Sequence, residues 1–219
     1  MTHFSKDLVL HDTDLVAEGG ERWVYQSTDY PEYVFKLQKP VHAREAKNTM
    51  KERSIRWFPR LADRIVHREY AAYLRACLAP QGDVDTLPIN RLYGFAKSNL
   101  GLMQVSEKVS LDGMTIGPTI KQLHNEGTLG EERLELLSDF ANAFLHWGIP
   151  TNDISRQNVV LGRRNGREIF LAVDGFGDIK IIPTRSHVPF VRRRALVRRL
   201  DRIATRIGRE FDPATFRFR

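Results

Sequence analysis

One cysteine, Cys77, stands in a chain of 219 residues. No internal disulfide can form, so the compact state must rest on burial, and the reading is of a reducing, cytoplasmic setting. Long apolar runs are also missing. The first apolar cluster, Leu8-Val9-Leu10, is flanked by Asp7 and Asp12, which speaks against a secretory leader, and no stretch reaches the length of a membrane span. Repeats and low-complexity segments are absent as well. With 42% hydrophobic and 28% charged residues the chain has the balance of a folded globule, and its length is enough to bury roughly 70% of the unfolded surface. Acidic residues are scarce at the C-terminal end. Residues 185–219 hold 11 Arg against Asp201, Glu210 and Asp212, a local charge of +8, so the remaining 184 residues sum to −1. The overall +7 therefore belongs to a tail, and a general nucleic-acid-binding surface is not implied.

What is present falls into an order. Leu15–Ala17 and Arg22–Gln26 read as strands around the turn Glu18-Gly19-Gly20-Glu21, where two glycines permit positive φ, and Tyr33–Leu37 is a third β-rich run. Residues 39–68 carry nine Lys or Arg against three acids and read as a solvated basic insertion. Helical spacing then returns from about Leu61 to Leu78, with Val66, Tyr70, Tyr73 and Cys77 on the apolar stripe. Two strand-like runs, 90–95 and 100–105, follow. A short helix is expected over Pro118–Asn125, and a longer one after Thr128-Leu129-Gly130-Glu131, which has capping-box spacing. Its stripe is Leu134, Leu137, Phe140, Ala141, Phe144 and Trp147. Val159–Leu161 and Ile169–Val173 around Asn165-Gly166 form the strongest hairpin signal. Leu196, Leu200, Ile203 and Ile207 put a helix in the tail, with Arg on its other faces.

The chemistry gathers at the ends of that hairpin. Asp153 and Asn158 lie in the loop that enters it and Asp174 at its exit, so the fold-back brings Asn158 and Asp174 together as oxygen ligands for a hard divalent cation, with Asp153 beside them. Phosphoryl transfer needs such a set, together with a Lys for the phosphates and a glycine turn over them. Lys36 on the third strand, Glu69 on the helix that follows as its ion-pair partner, and Gly19-Gly20 supply the rest.

That order of glycine turn, strand Lys, helix Glu, Asp-x-x-x-x-Asn, hairpin and Asp resembles the protein-kinase-like fold. More narrowly the chain resembles the PhoP regulatory network protein family (YrbL-like proteins). The resemblance rests on residues 19–25, Arg68-Glu69-Tyr70, Arg91–Gly94, Asp112-Gly113, Asp153–Asn158, Val173–Asp178 and the Arg-rich tail, and it spans most of residues 15–205. It implies a two-lobed α+β fold, with a β-rich N-lobe over 1–108 and a reduced helical C-lobe over 109–219. It also implies ATP and Mg²⁺ as cofactors. Lys36 would contact the α- and β-phosphates and Glu69 would pair with it. Asp153 would be the catalytic carboxylate, with Asn158 and Asp174 on the metal. Adenine would lie against Val24, Val34 and Val160 and meet backbone near Val105 and Glu107.

Departures from the kinase pattern set alternatives beside one another. The glycine loop is Gly-Gly-Glu-Arg, the usual Lys two residues after the catalytic Asp is Ser155, and Asp174-Gly175-Phe176-Gly177 is one residue longer than the Asp-Phe-Gly triplet. Only 41 residues follow Asp178, too few for a conventional peptide-substrate platform. One reading is an ATP-dependent phosphotransferase acting on a hydroxyl of an unidentified acceptor. The other is a catalytically weak nucleotide-sensing or regulatory interaction module. His124, His146 and the three tryptophans read as packing or surface residues, and Cys77 as core. The Arg-rich tail reads as a packed helix with solvated arginines, or as a surface for an anionic partner.

Overall fold

The computed structural model describes residues 8–40, 60–79, 83–151, 153–177 and 188–219, and among them the protein is a mixed α+β chain. Strands are Leu15–Glu18 (β1), Arg22–Tyr25 (β2), Tyr33–Gln38 (β3), Leu92–Ser98 (β4), Gly101–Glu107 (β5), Val159–Arg164 (β6), Arg167–Ala172 (β7), Phe211–Asp212 (β8) and Arg217–Phe218 (β9). Helices are Arg60–Cys77 (α1), Ile120–Asn125 (α2), Glu131–Trp147 (α3) and Pro189–Arg206 (α4). Most of the basic insertion read over 39–68 lies outside the described residues. The chain divides into two compact units, residues 1–66 with 91–108, and residues 67–90 with 109–219.

The first unit is a five-stranded antiparallel sheet in the order β1-β2-β3-β5-β4. Period-2 alternation sorts its side chains to two faces. Tyr25, Phe35, Ala96, Met103 and Val105 pack on one face with Leu8 and Leu10, and burying each large member contributes about 1.5–3 kcal/mol. Asn99 closes the β4–β5 turn over that cluster: its Oδ1 accepts from Leu10 N at 2.9 Å and its Nδ2 donates to Leu10 O at 2.9 Å. Neither Gly19 nor Gly20 takes a left-handed conformation, contrary to the expectation for that turn. Gly19 N donates to Arg22 O at 2.9 Å, and a Cβ on Gly20 would meet open space. Packing within the chain therefore does not require these two glycines.

In the second unit α3 buries the expected stripe from Leu134 to Trp147, and Gly148 stops it in the left-handed conformation with φ 59°. The capping box, however, belongs to α2. Thr119 caps it with Gln122 reaching back, while α3 starts at Gly130 with no side-chain cap. β6 and β7 pair in register from Val159↔Ala172 to Arg164↔Arg167, around Asn165 and Gly166 with φ of 50° and 78°. The α4 stripe is core: Leu196, Leu200, Ile203 and Ile207 are all buried. Beyond it β8 and β9 form a small hairpin on α3, where Phe218 N donates to Ser138 Oγ at 3.0 Å and Asn142 Nδ2 to Phe216 O at 3.2 Å. Two-residue strands are too short for periodicity to register, so this hairpin was not read from the sequence.

Two further expectations change. A division into 1–108 and 109–219 places residues 67–90 with the sheet, whereas the structure groups them with the second unit. The cause is a backbone splice. Ala172 N donates to Pro88 O and Asn90 N to Ala172 O, while the buried Arg164 guanidinium donates to Asp85 O, Leu87 O and Ile89 O at 2.9–3.2 Å. The buried side of α1 is also rotated from the expected stripe. It carries Glu69, Ala72 and Ala76, whereas Leu74 and Leu78 are exposed and Cys77 is half-buried. Small residues and one carboxylate, not the aromatics, face inward there.

Candidate functional site

In the first unit the face of the sheet opposite the apolar cluster carries the candidate phosphate and base contacts. Val24 sits directly across from Lys36, Lys36 across from Gln104, and Val34 across from Ser106. Lys36 is only 7% exposed, a desolvated ammonium that must have compensating charge or hydrogen bonds. Arg22 reaches over the same face to donate to Gln104 Oε1 at 3.0 Å. Gln104 Nε2 and Ser106 Oγ are buried on this face without a hydrogen-bond partner among the described residues, the condition of groups awaiting a ligand or water. So Val24, Val34 and Lys36 come together. The side chain of Val105 lies in the core on the other face. Glu107 is committed to Arg91, its amide donating to Arg91 O and its carboxylate accepting from Arg91 N, both at 2.9 Å. At the mouth of the glycine turn Glu18 accepts from Lys39 Nζ at 2.5 Å and Trp23 Nε1 at 3.1 Å, which holds its carboxyl below the usual carboxylate range, Lys39 first.

In the second unit the two ends of the β6–β7 hairpin are laced together. Val173 N donates to Asn158 O and Asp153 N to Gly175 O, both at 2.9 Å, so Asp174 is bracketed by bonds to Asn158 on one side and Asp153 on the other. Thr151 and Phe176 form a β-bridge, and Gly177 N donates to Pro150 O at 2.8 Å. Both glycines of this segment are required. Gly175 has φ 80°, and a Cβ there would overlap Asp153 O. Gly177 has φ 94°, and a Cβ there would lie 2.9 Å from Arg68 O on α1. The latter contact brings the segment after Asp174 against the turn of α1 that holds Glu69, itself 2% exposed. Val160 is buried against Val109 and Leu171. Within this unit, then, the structure gathers Asp153, Asn158, Asp174 and the backbone beside Glu69.

The donor set suits a hard cation. Asn158 Nδ2 donates to Asp153 O at 3.0 Å, which turns the amide so that Oδ1 occupies its opposite edge. Asp174 holds Oδ1 against the Gly175 amide at 2.6 Å, fixing the carboxylate plane. Among the described residues no group of three or more His, Cys, Asp or Glu could hold a metal. Two oxygen ligands are what Mg²⁺ takes from protein when phosphate and water complete the octahedron.

Two side chains with distinctive partners could not be found from spacing, one of them at the site. Arg199 of α4 reaches Asp153, its Nη1 3.4 Å from Oδ1. Asp112, in the loop before α2, accepts from Met114 N, Thr115 N, Thr115 Oγ1 and Ser110 Oγ at 2.8–2.9 Å. Those bonds, the Thr115 amide first, hold its carboxyl well below the usual carboxylate range. The arrangement is a loop lock rather than a ligand set, since every oxygen of the carboxylate is turned to its own loop.

Taken together these elements define an α+β protein with a polar-faced five-stranded sheet and a hairpin-borne acidic loop. The chain belongs to the family of the PhoP regulatory network protein YrbL, whose model matches residues 8–208. No curated protein sequence matches it. Among solved structures it is similar to the kinase domain of PF14_0431, at 15% identity with a TM-score of 0.39. That match covers 74% of this chain and 47% of the kinase domain, so the chain spans about half the length of that structure. No helix among the described residues is long and apolar enough to cross a membrane.

Proposed function

We propose that this protein is a kinase-like phosphotransferase that binds ATP with Mg²⁺ and moves the γ-phosphoryl group to a hydroxyl acceptor. The observation that carries the reading is the lacing of the 153–158 loop to the 173–177 segment. Backbone bonds join Asn158 to Val173 and Asp153 to Gly175, which supports reading Asn158 and Asp174 as the hard-cation pair with Asp153 as the carboxylate beside it. Bound Mg²⁺ would supply charge neutralisation at the phosphates. Asn158 and Asp174 would hold it, Lys36 would be the phosphate cation and Glu69 its counter-charge. Asp153 would orient the acceptor hydroxyl and take its proton as the oxygen bonds to phosphorus and the bond to the ADP oxygen breaks with its electron pair. Support for a nucleotide face comes from Val24, Val34 and Lys36 sharing one side of the sheet with the unpartnered Ser106 and Gln104 groups, and from open space above Gly20.

A second reading, a nucleotide-sensing module without transfer, is favoured by one observation: Ser155 stands where a cation would assist transfer. Thermal unfolding in the presence of millimolar ATP tests the premise common to both. The expected result is a rise in melting temperature that grows with Mg²⁺, because a ligand of the folded state alone stabilises it by mass action. Asp174→Ala should remove the Mg²⁺-dependent part. A wild-type protein that melts identically with and without Mg·ATP would end both readings.

A further inference from the structure

Seven arginines and one acid, Asp201, lie on α4, and the structure divides the arginines into two sets. One set serves the fold. Arg193 donates to Pro213 O at 2.7 Å and lies over the Phe216 ring at 5.2 Å from its centroid, Arg192 packs against Gly148, and Arg199 pairs with Asp153. The other set is Arg194, Arg198, Arg202 and Arg206. All four are exposed, and none of the four side chains makes an ion pair among the described residues.

These four are spaced by four residues, so they form one inclined row on the helix surface, each about 6 Å further along the axis than the last. Like charges at that spacing destabilise a helix. Asp201, three residues after Arg198, borders the row and leaves it a net charge of +3. The carrier is fixed, because Leu196, Leu200 and Ile203 on the inner side of α4 are buried. A row of cations that the fold does not use, and that weakens the helix bearing it, suits an extended anion.

One step back along the same row stands Phe190, 69% exposed. A large aromatic ring in water at the end of a cationic row matches single-stranded nucleic acid, whose phosphates follow the charge while a base stacks on the ring. A membrane fits less well. An interfacial helix inserts its apolar face into lipid, and here that face is buried in the second unit. A duplex fits less well too, since its bases are stacked on one another and leave Phe190 without a partner.

We infer that the row of Phe190, Arg194, Arg198, Arg202 and Arg206 binds single-stranded nucleic acid, with phosphates along the arginines and a base on Phe190. Contacts of this kind read no base sequence. The surface is local, since residues 1–184 sum to a charge of −1. It does not depend on the phosphotransfer reading.

The test is a fluorescence-anisotropy titration of the full chain against labelled oligouridine and oligothymidine of about ten nucleotides, repeated over a range of salt. Expected is a dissociation constant of about 10⁻⁴–10⁻⁶ M for both, with the logarithm of affinity falling against the logarithm of salt at a slope of about −2 to −3, or about 0.7 for each neutralised phosphate. Arg198→Gln and Arg202→Gln should each make the slope shallower by about 0.7. Phe190→Ala should weaken binding at least about fivefold and leave the slope unchanged. Arg167→Gln, which removes an exposed arginine from β7, should change neither. Each substitution is at an exposed position, and a circular dichroism melt like that of the wild type verifies that each variant folds. The inference is overturned if the wild type binds neither strand at about 0.1 mM protein in low salt. It is equally overturned by unchanged affinity in Phe190→Ala, by an equal change of slope in Arg167→Gln, or by tighter binding of a duplex of the same length or of phosphatidylglycerol vesicles than of the single strands.

Discussion

Gly175 and Asp153 are packed backbone to backbone. The Gly175 carbonyl accepts the Asp153 amide at 2.9 Å, and the space where a side chain would begin on Gly175 is already filled by Asp153 O. The candidate base and the segment carrying the candidate metal ligand are thereby set against each other without any side chain intervening. Glycine is the residue that permits this, through both its missing Cβ and its φ of 80°.

Gly175→Ala should therefore damage the site more than the fold around it. The left-handed conformation costs an alanine on the order of 1 kcal/mol, and relieving the overlap must push the 153–158 loop away from Asp174. Chemical denaturation should show a loss of about 1–3 kcal/mol, together with weakened Mg²⁺-dependent nucleotide stabilisation. Wild-type stability and wild-type Mg²⁺ response in this variant would show that the contact is unimportant.

Asp153→Asn separates catalysis from binding. The backbone of residue 153 makes the structural bonds, while its side chain is exposed, with Arg199 Nη1 3.4 Å from its Oδ1. The fold should tolerate the change. Nucleotide affinity should stay within a few-fold, and transfer should fall by roughly 10² or more, as expected for loss of a general base. Equal phosphate release by both proteins, with ATP still bound, would favour the sensor.

Removing everything after Arg194 should unfold the second unit. Leu196, Leu200, Ile203 and Ile207 are buried, and Phe211, Phe216 and Phe218 are lost with them. At about 1.5–3 kcal/mol for each large apolar side chain the loss exceeds 5 kcal/mol. Circular dichroism melts would report it. A truncated chain that melts like the full one would mean that the tail is a dispensable arm.

Acid sensitivity should map to Asp112. Its carboxyl is held below the ordinary value of 3.8 by hydrogen bonds from its own loop. A depressed folded value stabilises the native state above the unfolded pKa, and that contribution disappears as pH falls through the folded value. Asp112→Asn should accordingly be less stable than wild type near neutrality, with the two denaturation midpoints converging as pH is lowered below about 4. Parallel curves across the whole range would mean that the loop lock carries no such linkage.

Legibility in the sequence followed the range of the interaction. Asn165-Gly166 announces its hairpin because a turn of this hand needs left-handed residues, and the α3 and α4 stripes show because large apolar residues recur at one period. α1 misleads for the same reason. Its largest apolar residues suggested one face, yet Ala72, Ala76 and Glu69 are the ones enclosed, since a helix that must carry a buried carboxylate inward uses small neighbours. Of the site, Asp153, Asn158 and Asp174 were readable because a hairpin brings its own ends together. Arg199 was not, since it meets Asp153 across 46 residues of chain. Val105 and Glu107 were assigned through their backbone and from resemblance alone; their side chains lie in the core and against Arg91.

The strand order of the sheet has a consequence for synthesis. β5 lies between β3 and β4, although it is the last of the five to leave the ribosome. Until about residue 107 has emerged, β3 presents an open edge with Val34 and Phe35 uncovered, while the intervening residues have already been made. A nascent chain paused in that interval offers a template for pairing with another copy of itself. The hazard ends when the strand from Gly101 to Glu107 pairs with β3 and brings β4 with it as the outer strand.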